Sequence, residues 1–259
     1  MIGRRSYYFI VILVLFAPAI YSLKSESIRI HKGDFDFYYI RLKKQPRHER
    51  AEFHDLRTSQ FTNPLFEKKL EEFSDLFLDR FKIQSEQVHL KGETNTVLVL
   101  HDSFTFSQYS GKPKFLAAFY EVDRRTFYFQ NPDTLYKRNI LYDTIDHEIC
   151  HFLSPSQDKP ESHWLEESYC ESKFPTSSEP AKDKKRSRTP KFADWKAFKK
   201  SQNKNLSNGS QMSRVSAYRF AYEWGQFLRK AKGEDWFRDC LSNHRCDSEF
   251  AKLYQRFIE

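Results

Sequence analysis

Five consecutive residues, His147-Glu148-Ile149-Cys150-His151, place two imidazoles four positions apart with a carboxylate directly after the first. On a helix, positions i and i+4 lie about 40° apart on one face, so both imidazoles reach the same metal ion. Glu148 stands about 100° round from His147, beside such a metal rather than in line with its ligands, where a carboxylate works on metal-bound water. The chemistry this spacing suits is hydrolysis by a zinc-activated water. A catalytic zinc takes three protein ligands and keeps one position open, so a third ligand is expected elsewhere in the chain.

The elements that must position these residues follow from periodicity. The approach, Arg138 to Asp146, carries apolar Ile140, Leu141 and Ile145 without Gly or Pro, which predicts a helix. Upstream, residues 27–42 read as a strand or hairpin split by Gly33, and Leu65, Phe66, Leu70, Phe73, Leu76, Phe77 and Phe81 predict an amphipathic helix from Pro64 to about 82. Thr96 to His101 reads as a buried strand, Phe104 to Tyr109 as a short helix or loop, and Phe115 to Val122 and Thr126 to Gln130 as two strands. Beyond the motif, 215–228, 233–242 and 247–258 read as helices.

Downstream of the histidines stands Trp164-Leu165-Glu166-Glu167-Ser168. H-E-x-x-H followed by W-L-x-E-(G/S) resembles the gluzincins, zinc metallopeptidases of the peptidase-MA type, over roughly residues 115 to 230. The resemblance implies an α+β, zincin-like fold, with a mixed α/β N-terminal lobe bearing a small sheet and the active-site helix, and a mainly helical C-terminal lobe. It implies Zn²⁺ held by His147, His151 and Glu167, with Glu167 rather than Glu166 as the third ligand. It also implies Glu148 as the general base and Glu171 as the acid that orients His147; Glu167 and Glu171 share a helix face, and a metal-bound imidazole needs an acceptor for its other N–H.

Two departures narrow the resemblance. Ser168 replaces the usual Gly, and the G-x-M-E-N segment of aminopeptidase-N-like enzymes is absent, which counts against recognition of a free amino terminus. Ala117-Ala118-Phe119-Tyr120 and Thr126-Phe127-Tyr128-Phe129 are similar, without the usual Gly, to the strand pair that precedes the zinc helix in bacterial peptidase-MA domains. One of these strands is then the sheet edge along which extended substrate is held. Tyr218-Arg219-Phe220-Ala221-Tyr222 is similar to a helix that recurs after the ligand helix, and makes Tyr218 the first candidate, Tyr222 the second, for the phenol that steadies the oxyanion.

Arg4 and Arg5 precede an apolar run from Tyr7 to Phe16 and the small-residue pattern Ala17-Pro18-Ala19, which reads as a signal peptide over 1–22, with an uncleaved membrane anchor as the alternative. A periplasmic or secreted protein is expected, with residues 23–259 as one domain divided into an α/β lobe, 23–153, and a helical lobe, 154–259. Export makes disulfides permissible for the four cysteines. Cys150 and Cys170 each lie three residues after a proposed ligand and meet if the two ligand helices pack together; Cys240 and Cys246 close a short loop. This is one of three connectivities. A thiolate of Cys150 or Cys170 on the metal is the rival reading.

With 259 residues, 39% hydrophobic and 17% aromatic content, the chain is long enough for a substantial aromatic core. Its formal charge of +8 is matched by the stretch Lys182 to Lys204 alone, which has ten Lys/Arg against two Asp, within a polar insert spanning 174–213. That stretch reads as a solvated insertion beside the cleft, with a short helix around 192–198, or as a contact to an anionic surface. A peptide or protein substrate is the expected partner, no specific nucleic acid binding is expected, and the oligomeric state is open. A zinc-binding protein without turnover, and a cationic envelope-interaction protein with structural zinc, are the competing readings.

Overall fold

The computed structural model describes residues 25–42, 59–60, 63–85, 94–154, 163–175, 195–243 and 246–258. The signal-peptide segment and most of the basic run lie outside these residues. The described elements begin with β1 (Ser25–Lys32), β2 (Phe35–Leu42) and the two-residue β3 (Ser59–Gln60). They continue with α1 (Pro64–Gln84), β4 (Asn95–Leu100), α2 (Ser103–Ser110), β5 (Ala118–Glu121), β6 (Thr126–Gln130), α3 (Pro132–Lys137) and α4 (Leu141–Leu153). The C-terminal part is helical, with α5 (His163–Lys173), α6 (Trp195–Asn208), α7 (Gln211–Lys232), α8 (Glu234–Asn243) and α9 (Asp247–Ile258). The architecture is thus α+β, and among the described residues no helix is long and apolar enough to cross a membrane.

One mixed sheet has the order β3-β1-β2-β4-β6-β5. Strands β2, β4 and β6 run parallel, β1 pairs antiparallel with β2 through the turn at Gly33, and β5 closes the far edge antiparallel to β6. Gly33 has a positive φ, in the left-handed region that glycine adopts without strain.

Helix α1 forms where the sequence pattern predicts it. Asn63 caps it by accepting from the Leu65 N–H, Pro64 opens its first turn, and Leu70, Phe73, Phe77 and Phe81 form one buried stripe. That stripe packs on Phe35 and Phe37 of β2 and Phe127 and Phe129 of β6. The Phe77 ring centroid is 5.3 Å from that of Phe35 and 5.2 Å from that of Phe127. Both contacts are edge-to-face, the arrangement that the charge distribution of aromatic rings favours. Helix α4 joins the same core through Ile145, Ile149 and Phe152. The Phe152 ring lies 5.5 Å from Phe127 and 5.4 Å from Tyr120, which seats the end of the histidine helix against β6 and β5.

A second core lies among the C-terminal helices, built on Trp164, Tyr169, Trp195, Phe198, Phe220, Trp224, Phe250 and Tyr254. Three features differ from the sequence expectation. A separate helix, α3, precedes α4, because Asn131 caps a turn opened by Pro132, so the histidine helix starts only at Leu141. The strand expected over 115–122 is confined to 118–121, since Gln130 Nε2 donates to the carbonyls of Lys114 and Leu116 and folds the lead-in segment over the end of β6. Residues 195–208 of the supposed solvated insert form α6, anchored in the second core by Trp195, Phe198 and Leu206, each at most 8% exposed.

Candidate metal centre

Helices α4 and α5 pack at the junction of the two cores. With Ile145, Ile149 and Phe152 turned to the sheet, the 3.6-residue repeat turns His147 and His151 away from it, towards α5. On α5, residues Trp164 through Ser172 are all buried, so its carboxylates are held inside the protein. The Cys150–Cys170 disulfide joins the two helices, and a second disulfide links Cys240 and Cys246. Both cysteine pairs are those expected, and neither Cys150 nor Cys170 is available as a thiolate.

His147, His151 and Glu167 converge on one point. The two Nε2 atoms are 3.0 Å apart, His147 Nε2 is 3.1 Å from Glu167 Oε1, and His151 Nε2 is 3.4 Å from Glu167 Oε2. Ligand atoms around a tetrahedral zinc, with bonds of about 2.0–2.1 Å, are separated by roughly 3.3 Å.

The hydrogen bonds fix which ring nitrogens face the centre. His147 Nδ1 lies 3.2 Å from the Phe174 carbonyl oxygen. A carbonyl only accepts, so Nδ1 carries the proton. His151 Nδ1 lies 3.1 Å from Glu166 Oε1. That carboxylate imposes the same tautomer. In the neutral form that a metal ligand must take, each ring then aims its Nε2 lone pair inward, towards the other ring and towards the carboxylate. Glu167 Oε1 is buried without a hydrogen-bond donor. Lone pairs meeting in a buried pocket are satisfied by a cation placed between them.

The electrostatics agree. Burial disfavours a charged His147, but Glu167 outweighs it and raises the imidazole pKa; for His151 the rise is larger, with Glu167 and Glu166 both contributing against burial. Burial opposes ionisation of Glu167, yet His151 and His147 hold it well below the usual carboxylate range. The pocket therefore selects positive charge, and its His₂Glu donor set is a known catalytic zinc set.

Glu148 stands beside this triangle, 5% exposed. Burial raises its pKa, the two imidazoles pull it back, Glu167 raises it further, and the Tyr120 backbone N–H on β5 favours the charged form. Among the described residues strand β5 is one edge of the sheet, β3 the other. Gln130 N–H donates to the Ala117 carbonyl, so by the alternation of an antiparallel ladder Ala118 and Tyr120 turn their backbone groups outward, to the side where Glu148 lies.

Glu171 is 3.5 Å from His147 Nδ1, farther than the Phe174 carbonyl. Tyr218, partly buried on α7, lies within the field of the site's carboxylates. Burial and then the charges of Glu167, Glu148 and Glu171 push its pKa well above the ordinary phenol value, so it keeps its proton. The part of Glu166 was missed from sequence: its carboxylate orients His151, and its adjacency to Glu167 was the signal available. No family model matches the chain, and no curated protein matches it significantly.

Proposed function

We propose that this protein is an exported zinc metallopeptidase of the gluzincin type with a zincin-like fold. The observation that carries the reading is the convergence of His147 Nε2, His151 Nε2 and the Glu167 carboxylate, with Glu148 buried beside them against an open strand edge. A zinc ion held by the three supplies a Lewis acid for a peptide carbonyl and acidifies a water.

Extended substrate adds to the outer edge of β5 through the backbone groups of Ala118 and the Tyr120 carbonyl, the Tyr120 N–H being held by Glu148. Glu148, its pKa raised by burial, takes the proton of the attacking water and passes it to the departing amine. Tyr218 remains protonated and donates to the oxygen on which negative charge develops. Glu166, Glu171 and the Phe174 carbonyl hold the imidazoles in the tautomer that presents Nε2. Two disulfides fit an oxidising compartment, in keeping with export to the periplasm or the exterior.

The test is cleavage of a mixed library of unstructured peptides by the zinc-loaded protein beside its Glu148→Gln variant, with zinc content measured for both. The expected result is cleavage by the parent, and one zinc but no cleavage in the variant. Zinc-loaded parent protein that cuts nothing overturns the peptidase reading, and failure of both proteins to bind zinc overturns the metal site.

A further inference from the structure

A cavity of about 180 Å³ lies between α1 and the sheet, lined by none of the residues that form the metal centre, and what it binds is independent of the peptidase reading. Its place follows from the path of the chain. The first helix after β2 is α1, which covers the sheet face of Phe37, Tyr39 and Val99. The helix after β4 is α2, whose Phe106 covers the opposite face with Ile40 and Leu100. In a largely parallel sheet a crevice opens at the carboxyl ends of neighbouring strands whose helices leave to opposite sides, and ligands settle there. Tyr39 and Val99, register partners towards the ends of β2 and β4, both stand in the cavity wall.

The inner wall is apolar, formed by Tyr39, Phe73, Leu76 and Val99. Its polar atoms already have partners within the protein. Tyr39 Oη lies 2.8 Å from His101 Nδ1 and accepts from Asn131 Nδ2 at 3.4 Å, while Asn131 Oδ1 accepts from the Asp133 N–H at 2.9 Å. A ligand inside therefore meets ring and aliphatic surface. An apolar cavity of about 150 Å³ accommodates benzene, so this one has room for a single six-membered ring.

The mouth is charged. Lys69 of α1 pairs with Asp133 of α3, and Glu72, one helical turn beyond Lys69, adds a second carboxylate. Glu72 has a loose ion pair with Lys68 at 3.7 Å, both side chains being exposed, and Lys68 does not line the cavity. One ammonium against two carboxylates gives the lining a net charge of −1 on a chain whose formal charge is +8. Tyr136, 64% exposed, adds an aromatic face that attracts cations. We propose that this cavity binds a small monocyclic organic cation, its ring against Phe73 and Val99 and its ammonium at Glu72 and the Tyr136 ring.

The test is a ligand-observed NMR titration of the protein, with and without zinc, using benzylamine, benzyl alcohol and benzoate, which share one ring and differ in charge. Benzylamine is expected to bind about fivefold more tightly than benzyl alcohol, the upper range for one solvent-exposed ion pair, and benzoate more weakly than either. Glu72→Gln brings the amine and the alcohol to within about twofold, and Glu72→Lys places benzoate first. Leu76→Trp fills the cavity and abolishes binding of all three. The Glu72 variants alter an exposed side chain, so they decide the matter even where Leu76→Trp unfolds. Equal affinities in the parent protein, or an amine preference unchanged in Glu72→Gln, overturn the proposal. So does benzylamine binding that survives in folded Leu76→Trp, or that vanishes with the zinc and so belongs to the metal. No saturable binding of benzylamine up to about 10 mM, weaker than burial of one ring provides, overturns it as well.

Discussion

Gly225 of α7 lies directly against the Ser168 carbonyl of α5, and a Cβ at that position would overlap the carbonyl oxygen and come within 2.6 Å of Ser172 Cβ. The crossing is tight because no side chain intervenes, and Gln226 Nε2 locks it by donating to the Ser172 carbonyl at 2.7 Å. Ser168 follows Glu167, a candidate metal ligand, so this contact sets how closely α7, which carries Tyr218, approaches the candidate metal site. Gly225→Ala forces backbone to move and is expected to cost about 2–3 kcal/mol, lowering the thermal midpoint by roughly 5–10 °C. Calorimetry checks this, and an unchanged midpoint would show that the crossing is looser than described.

The two disulfides have separable effects. Replacing Cys150 and Cys170 with Ser removes a cross-link of sequence separation 20 and frees the two ligand helices from each other. In the chain-entropy picture a link of that span is worth about 3 kcal/mol. Stability and zinc affinity are both expected to fall. Replacing Cys240 and Cys246 opens a link of sequence separation 6. The shorter loop makes that loss of stability the smaller of the two, and zinc affinity is expected to fall less, because this link does not join α4 to α5. Competition with a chromophoric chelator measures the affinities, and equal affinities for the two double variants would contradict the expectation.

Behind the histidine helix, Arg80 of α1 forms a two-point ion pair with Asp146, the residue before His147, and Gln84 Nε2 donates to the same carboxylate at 2.9 Å. Asp146 is 2% exposed while the Arg80 side chain is 34% exposed. Arg80→Met leaves a buried carboxylate with only Gln84, and is expected to cost roughly 2–3 kcal/mol, below the usual loss for a fully buried pair because water reaches the arginine. Urea denaturation at neutral pH is the measurement; a loss under about 0.5 kcal/mol, the scale of a surface substitution, would remove the pair from the list of what holds α4 in place.

Glu234 joins three helices. Its carboxylate accepts from Tyr169 Oη at 3.0 Å, lies 3.3 Å from Lys173 Nζ and pairs with Arg229. Burial works against its charge, but Lys173, Arg229 and Tyr169 outweigh that and hold its pKa below the usual carboxylate range. A group whose pKa is lower folded than unfolded stabilises the protein above its unfolded pKa, near about 4.3 for Glu, and loses that contribution as pH falls through the folded value. Glu234→Gln is therefore expected to lower the thermal midpoint at pH 7 and to flatten its decline on acidification below about pH 4.5. Parallel curves for parent and variant would rule this out.

Legibility in the sequence followed the range of the interactions. The histidine pair and its carboxylate were readable because their geometry is internal to one helix. Helix α1 was equally plain, since its stripe and its Asn63-Pro64 start are local. The division of labour between Glu166 and Glu167 was reached for Glu167 through the resemblance alone; what decides it physically is the crossing of α4 and α5, which brings one carboxylate between the Nε2 atoms and the other to His151 Nδ1. That β5 rather than β6 forms the sheet edge depends on pairing between distant segments, which alternation in either strand leaves undetermined. Helix α6 was legible only as a short helix around 192–198; its continuation to Asn208 and its burial were masked by lysines, since Trp195, Phe198 and Leu206 are sparse among polar residues.

The Cys150–Cys170 bond also bears on the chain between the ligand helices. With α4 and α5 covalently joined beside the metal centre, the connection from Ser154 to His163 no longer has to hold them at the right separation. The entropy of closing such a loop grows only logarithmically with its length, at about 0.6 kcal/mol per doubling. The gap between the histidines and the glutamate is thus a free parameter of this architecture, open to insertions that leave the three candidate ligands in place.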